Sequence, residues 1–263
     1  MLKIKNSKKI AHFIRTRSAE LVYMKKSSHI GSVYSCADIV AVLYSKYIDP
    51  KDNKNTNIFI LSKGHACLAI YTALEYLKII SKEELDTYGE DGTIFMSHIS
   101  HKVPSISFST GSLGHGLALG IGKALAFKKI NSKKRVFILL GDGELQEGSI
   151  WESLMFINHF RLTNITILID NNNLQSFGTV ESTISIDNLE KKLKSFGFYV
   201  KTLNGHDHQK ISASLSEQKD YPQIFIFKTI KGYPIDFMSN KFEWHYKSPS
   251  KEEFEDIKKQ LNK

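Results

Sequence analysis

Two cysteines in 263 residues, Cys36 and Cys67, are too few and too far apart to suggest a disulfide framework. Both stand in segments with helical spacing, where a thiol serves as a small apolar filler. A reduced, cytoplasmic protein is the expectation from that usage. There are five prolines, no Pro/Gly-rich tract, no repeat and no low-complexity segment, so nothing marks a linker. No apolar stretch approaches the roughly 18 residues needed to span a membrane. The opening Met1-Leu2-Lys3-Ile4-Lys5-Asn6 leads into a Lys-rich amphipathic stretch and lacks the apolar run and cleavage site of a secretory signal. Zinc-ligand spacing and long aromatic–basic interleaving are also missing. The net charge of +9 therefore reads as a solvated basic surface, compatible with an anionic small-molecule ligand, with no nucleic acid or membrane as partner.

What is present is ample material for a core, with 41% hydrophobic residues. The pattern alternates between helical and strand-like segments. Residues 7–26 read as a helix, 35–47 as a second with Ser35 as a possible N-cap, and 66–80 as a third after a short buried strand at 58–61. Residues 113–129 read as a helix despite Gly114, Gly116, Gly120 and Gly122. Each interior glycine costs roughly 1 kcal/mol against alanine, so another helix or a ligand must pack very close. The clearest unit is Val136 to Leu140, a buried strand, then a helix over 148–160 with Ile150, Leu154, Ile157 and Phe160 on one side, then the buried strand Ile165 to Ile169. That is a βαβ unit with a right-handed crossover. Further strands are expected at 198–202 and 224–228, and a closing helix at 250–261. The class is α/β, one parallel sheet with helices on both faces, and residues 1–263 are expected to form one domain.

In such sheets ligands bind outside the carboxyl ends of the strands. One strand there leads into Gly141-Asp142-Gly143 and the next into Asp170-Asn171-Asn172-Asn173. Asp142, Asn172 and nearby carbonyls are hard oxygen donors suited to Mg²⁺ or Ca²⁺. Gly141 and Gly143 remove side chains where a phosphate must approach the backbone, and the following helix N-terminus favours an anion. A divalent ion bridging a diphosphate to the protein is the chemistry that fits this pair of loops.

The segment Gly141-Asp-Gly-Glu-Leu-Gln-Glu-Gly-Ser-Ile-Trp-Glu152, with Asp170-Asn-Asn-Asn173 closing it, resembles the thiamine diphosphate motif of transketolases. Ser28-His29-Ile30-Gly31-Ser32, Leu61-Ser-Lys-Gly-His-Ala66, His98 with Pro104 and Ser109-Thr-Gly-Ser-Leu-Gly114, and Lys228-Thr-Ile-Lys-Gly-Tyr233 with Trp244-His245 resemble the family's other motifs, in its order. The resemblance implies the diphosphate-binding (PP-type) domain of that fold. It implies metal ligation by Asp142, Asn172 and the Leu174 carbonyl, and diphosphate contacts from Gly143, His65 and His245. Gly111 and Leu113 would shape the pocket for the cofactor rings. His29 and His98 would reach the reacting carbons and hydroxyls of a sugar, His245 would also serve catalysis, and Glu147 matches the carboxylate that couples paired active sites. His98 is preferred to His101 on its spacing to Pro104. Ser28, Ile30 and Ile99 stand where the family usually has other residues, and His115 where it often has Gln. His12, His159 and His206 belong to no motif and are expected to be surface or structural residues.

A full-length member of that family continues into a pyrimidine-binding domain, which carries the activating glutamate, and then a third domain. The resemblance thus implies a separate C-terminal transketolase subunit of roughly 300 residues, joined in an α2β2 heterotetramer that transfers a two-carbon unit between sugars or sugar phosphates. Two alternatives stay open: the α-subunit of a 2-oxoacid dehydrogenase, which shares Gly-Asp-Gly, and a non-catalytic relative that keeps the fold.

Overall fold

The computed structural model describes residues 4–52 and 54–262; Met1 to Lys3 of the N-terminal stretch lie outside them. Two helices come first, α1 (Ile4–Lys25) and α2 (Ile30–Lys46). Then follow β1 (Ile58–Leu61), α3 (Leu68–Tyr76), α4 (Lys82–Leu85), α5 (His115–Lys129), β2 (Val136–Gly141), α6 (Gly148–His159) and β3 (Ile165–Asn171). The chain continues through α7 (Val180–Thr183), α8 (Leu189–Ser195), β4 (Tyr199–Asn204), α9 (His208–Ser216), β5 (Gln223–Lys228) and α10 (Lys251–Leu261).

The five strands form one parallel sheet in the order β1-β2-β3-β5-β4. Side chains alternate between faces along each strand, and this sorts the core into two layers. Phe137, Leu139, Leu168, Phe225 and Phe227 pack with Ile10, Val33, Leu74, Ile211 and Ile257 from α1, α2, α3, α9 and α10. Val136, Ile138, Ile167 and Ile226 pack with Leu117, Leu154 and Leu193 from α5, α6 and α8. Strands buried on both faces need continuous apolar runs, which is why β2 and β3 stand out in the sequence. The step from β4 back to β5 runs across the sheet in the opposite sense to β1-β2-β3. A right-handed crossover then puts α9 on the face opposite α6.

Several boundaries differ from the sequence expectation. Ser35 does not cap α2. The helix starts at Ile30 with His29 at its N-cap, and the Ser35 hydroxyl, inside it, donates to Asp170 at 2.7 Å and accepts from the Asn172 amide at 2.9 Å. This helix is buried from Ile30 through Ser45, so no amphipathic stripe marks where it begins. Helix α3 is shorter than 66–80 because a 3-10 turn over Gly64–Ala66 precedes it and Lys78 leaves helical geometry at φ 60°. Phe160, expected on the buried side, lies past the end of α6 and is exposed.

Two glycines of α5 answer to close packing against the sheet and the β1 exit. A Cβ on Gly116 would lie 2.3 Å from the Ser62 hydroxyl oxygen and 2.8 Å from its Cα, and one on Gly120 would lie 2.3 Å from Ile138. A Cβ on Gly122 would meet nothing within 4 Å. Gly122→Ala should therefore raise stability by about 0.5–1 kcal/mol. Gly116→Ala should lower it, since overpacking costs about 1–3 kcal/mol and outweighs the helical gain. Urea midpoints of the two variants moving in the same direction would contradict this packing.

Candidate functional site

Parallel strands deliver the loops after β1, β2, β3 and β5 to one edge of the sheet. There they surround a cleft of about 440 Å³, a size suited to a cofactor or small substrate. The β1 loop contributes Lys63 and His65, the β2 loop Gly141, Asp142, Gly143 and Glu144, and the β3 loop Asn172, Leu174 and Gln175. His29 enters from the start of α2, His98, Gly111 and Leu113 from the segment before α5, and Lys231, His245 and Tyr246 from beyond β5. Every residue the sequence singled out for cofactor or metal thus lines one cleft. Glu147 does not. It is exposed at the N-cap of α6, outside the cleft. His101 is exposed and bonded to the Ser109 hydroxyl at 2.7 Å, and His115 is exposed at the start of α5.

The cleft brings together paired and unpaired buried charges. Lys63 and Asp170 form an ion pair at 2.5 Å, with side chains 4% and 0% exposed. Burial opposes the Lys63 ammonium, but Asp170 outweighs it and holds the pKa above lysine's ordinary value. Asp170 also accepts from Ser35 and Thr229. Asp142 is also buried, but its carboxylate has only hydrogen bonds, from the Gly143 amide at 2.8 Å, the Asn171 side chain at 3.1 Å and the Asn173 amide. Burial, with the neighbouring Asp170 charge adding to it, pushes the Asp142 pKa up. Lys231 is 1% exposed. Its ammonium donates to the Gln175 carbonyl at 2.7 Å and lies 3.2 Å from His245 Nδ1. Burial, helped by the Lys63 charge, lowers its pKa to about 8. Among the described residues, neither Asp142 nor Lys231 has an ion partner. A carboxylate and an ammonium, both buried and both unpaired, therefore face the same cleft, and unpaired buried charge is costly.

The donor set around Asp142 has the chemistry of a hard cation site. The Asn172 side-chain oxygen accepts from the Leu174 amide at 2.9 Å, which uses one of its two lone pairs. No cluster of His, Cys, Asp or Glu side chains among the described residues could hold a metal unaided. An ion here would take mixed oxygen donors, one carboxylate, one amide and carbonyls, as Mg²⁺ and Ca²⁺ do.

Four imidazoles form the other wall. Ring centroids of His29 lie 5.0 Å from His245, 5.3 Å from His65 and 5.5 Å from His98. His29 sits at φ 72°, a left-handed conformation uncommon for a residue with a Cβ. It is locked there by its amide donating to the His245 carbonyl at 2.7 Å and by its own carbonyl accepting from Ser32 and Val33. Such conformations persist where the surrounding structure over-determines them, often at functional sites. Burial first, then the neighbouring His98 and Lys231, lower the His29 pKa to about 4. Burial and Lys231 lower that of His245 to about 3. Close backbone approach shapes the same wall, because a Cβ on Gly111 would lie 3.1 Å from the His98 ring.

Sequence reasoning missed Lys63, Lys231 and Gln175. Lys63 and Lys231 lie inside motifs that stand out for their glycines and histidines. Their signal is position, two residues before His65 and within Lys228-Thr-Ile-Lys-Gly-Tyr233, rather than residue type.

A doubly covered parallel sheet with a charged cleft at its carboxyl ends defines a cofactor-binding α/β protein. The family model described as transketolase, thiamine diphosphate binding domain, matches residues 6–262, and the chain belongs to that family. It is 36% identical over 256 residues to one subunit of the apulose-4-phosphate transketolase of Phocaeicola vulgatus, covering 94% of this chain and 91% of that one. It is 31% identical to a 6-deoxy-6-sulfo-D-fructose transketolase subunit of a Clostridium species, covering 89% and 88%. The crystal structure of a transketolase from Campylobacter jejuni superposes with a TM-score of 0.90 at 26% identity, covering 98% of this chain and 42% of that one.

The depressed histidines make stability depend on pH in a definite direction. His29 and His245 titrate near 6.5 when unfolded but only at about 4 and about 3 when folded, so the unfolded chain binds the extra protons. Stability present above pH 6.5 is lost as pH falls through those folded values. The urea midpoint of the chain without added cofactor should fall between pH 6.5 and about 4. His29→Asn, which tolerates the left-handed backbone, should fall less steeply. An identical slope in both proteins would count against a neutral His29.

Proposed function

We propose that this chain is the cofactor-holding subunit of a two-subunit transketolase. With Mg²⁺ or Ca²⁺ it grips the diphosphate of thiamine diphosphate. With a partner subunit carrying the pyrimidine-binding half, it transfers a two-carbon ketol unit from a ketose or ketose phosphate to an aldose. The carrying observation is the pair of unmatched buried charges, Asp142 and Lys231, on one cleft. A metal diphosphate supplies a cation to the first and an anion to the second. The division into subunits is supported by relatives that are themselves transketolase subunits, those of Phocaeicola vulgatus and of the Clostridium species.

In this reading Asp142, Asn172 and the Leu174 carbonyl hold the cation. Lys231, His65, His245 and the Gly143 amide meet the diphosphate oxygens, and Gly141 leaves the approach open, with nothing within 4 Å of where its Cβ would be. Gly111 and Leu113 bound the space for the rings. Bound thiamine diphosphate supplies a carbon acid that attacks a carbonyl and stores the electron pair. His29 and His98 face the sugar, and a neutral imidazole can accept or return a hydroxyl proton near pH 7. His245, also neutral, lies 5.0 Å from His29 ring to ring and can pass protons in the same wall. Glu147, exposed at the head of α6, is the carboxylate that this reading has coupling paired sites in an α2β2 assembly.

Titration calorimetry on the chain reconstituted with its partner tests the reading. Wild type should give saturable heat with thiamine diphosphate only when Mg²⁺ is present. Asp142→Ala and Lys231→Met should each weaken binding by at least about tenfold, or about 1.4 kcal/mol, with the fold intact by circular dichroism. Ketol transfer should need both subunits. Absence of saturable heat in wild type, or full activity of this chain alone, would sink the proposal.

A further inference from the structure

His206 carries no motif and reads in the sequence as a surface or structural residue, yet its side chain is 8% exposed and both ring nitrogens are engaged. Nδ1 lies 2.8 Å from Asp38 Oδ2, and Nε2 accepts the Ile230 amide at 3.0 Å. An amide N–H can only donate, so Nε2 is unprotonated and the ring proton sits on Nδ1, pointing at Asp38. The ring also stacks on Tyr233, centroids 3.9 Å apart. Asp38 is held in turn by Arg15, whose two terminal nitrogens lie 3.0 and 2.5 Å from its oxygens, and by His208 at 2.9 Å. The Arg15 Nε donates to the Tyr233 carbonyl at 3.0 Å. The turn carrying His206 presses on the same segment, since a Cβ on Gly205 would lie 2.4 Å from Thr229.

The frame therefore grips the chain at Ile230 and at Tyr233, and the residue between these grips that enters the cleft is Lys231. We infer that His206 is a positioning residue: oriented by Asp38, it fixes the Ile230 amide and so sets the Lys231 ammonium at the place where the cofactor's anionic end is met. This rests on the diphosphate role proposed for Lys231. Arg15 and Asp38 would satisfy one another without His206. What the imidazole adds is an acceptor for an amide one residue from the cleft.

The test uses the reconstituted complex and thiamine diphosphate at fixed Mg²⁺. His206→Ala removes the acceptor, and His206→Asn keeps a group near Asp38 but is too short for Ile230. His206→Gln places an oxygen near the former Nε2. Alanine and asparagine should weaken cofactor binding by about tenfold, the lower end of what such supporting partners contribute, while glutamine should recover most of it. In a Lys231→Met background, His206→Ala should cost little more, because the two residues act through one contact. Equal Kd values in all three single variants, with only the urea midpoint lowered, would reduce His206 to a packing residue and overturn the inference. A full additive loss in the double variant would also overturn it. If Lys231→Met alone left Kd unchanged, the diphosphate role of Lys231 would fall and take this inference with it.

Discussion

Beneath the cleft, Lys63 and Asp170 neutralise one another, and what that pairing leaves unmatched defines the site. The ion pair joins the loop after β1 to the end of β3 across β2, with Asp170 also holding Ser35 of α2 and Thr229 beyond β5. Removing one member of such a pair strands a buried charge, at a cost of about 3–5 kcal/mol. The pair is therefore best understood as a constraint that fixes four segments relative to each other. With Lys63 committed to Asp170, Asp142 has no ammonium of its own. With Asp170 committed to Lys63, Lys231 has no carboxylate. The binding capacity of the cleft is what remains after those internal charges are matched.

The sheet and its two loops are legible in the sequence because they are local and periodic. Val136 to Leu140 and Ile165 to Ile169 are apolar runs of strand length, and parallel topology follows from the helix between them. The residues that adjust the site are less legible, because burial of a polar group is a tertiary fact. Lys231 and an exposed surface lysine such as Lys191 are the same letter. Only packing of the β5 exit against α2, where the Gly232 amide donates to the Gly31 carbonyl, makes the first one buried. His206 escapes notice for the same reason. Its partners Asp38 and Ile230 lie 168 and 24 residues away, and no local spacing connects them. The start of α2 lies earlier than its sequence suggests because a helix buried on all sides has no polar face to betray its period.

The histidine wall shows how one environment can set several groups at once. His29, His65 and His245 share desolvation and the nearby positive charges of Lys231 or Lys63, and all are driven toward the neutral form. Neutral imidazoles can accept a proton from one group and donate to another, which a charged ring cannot do. Lys231, which has no ion partner among the described residues, thus adds to burial in keeping the histidines uncharged. An anion bound beside Lys231 would partly cancel that field, so the proton affinity of the wall should depend on whether one is present.

Two carboxylates in one turn illustrate how surroundings divide labour. Asp142 and Glu144 are both buried, both raised in pKa chiefly by burial, and neither has an ion partner among the described residues. Glu144 accepts from the Ser62 hydroxyl, the Gly114 amide at 2.9 Å and the Gly141 amide at 3.2 Å. Those donors come from the β1 exit, the entry to α5 and the end of β2, so its oxygens are occupied in joining three segments. Asp142 also accepts from three donors, the Gly143 amide, the Asn171 side chain and the Asn173 amide, but all three belong to the two loops that bring Asn172 and Leu174 to the cleft. Glu144 thus acts as a joint between the β1 exit, the entry to α5 and the end of β2, while Asp142 ties together only the two loops after β2 and β3.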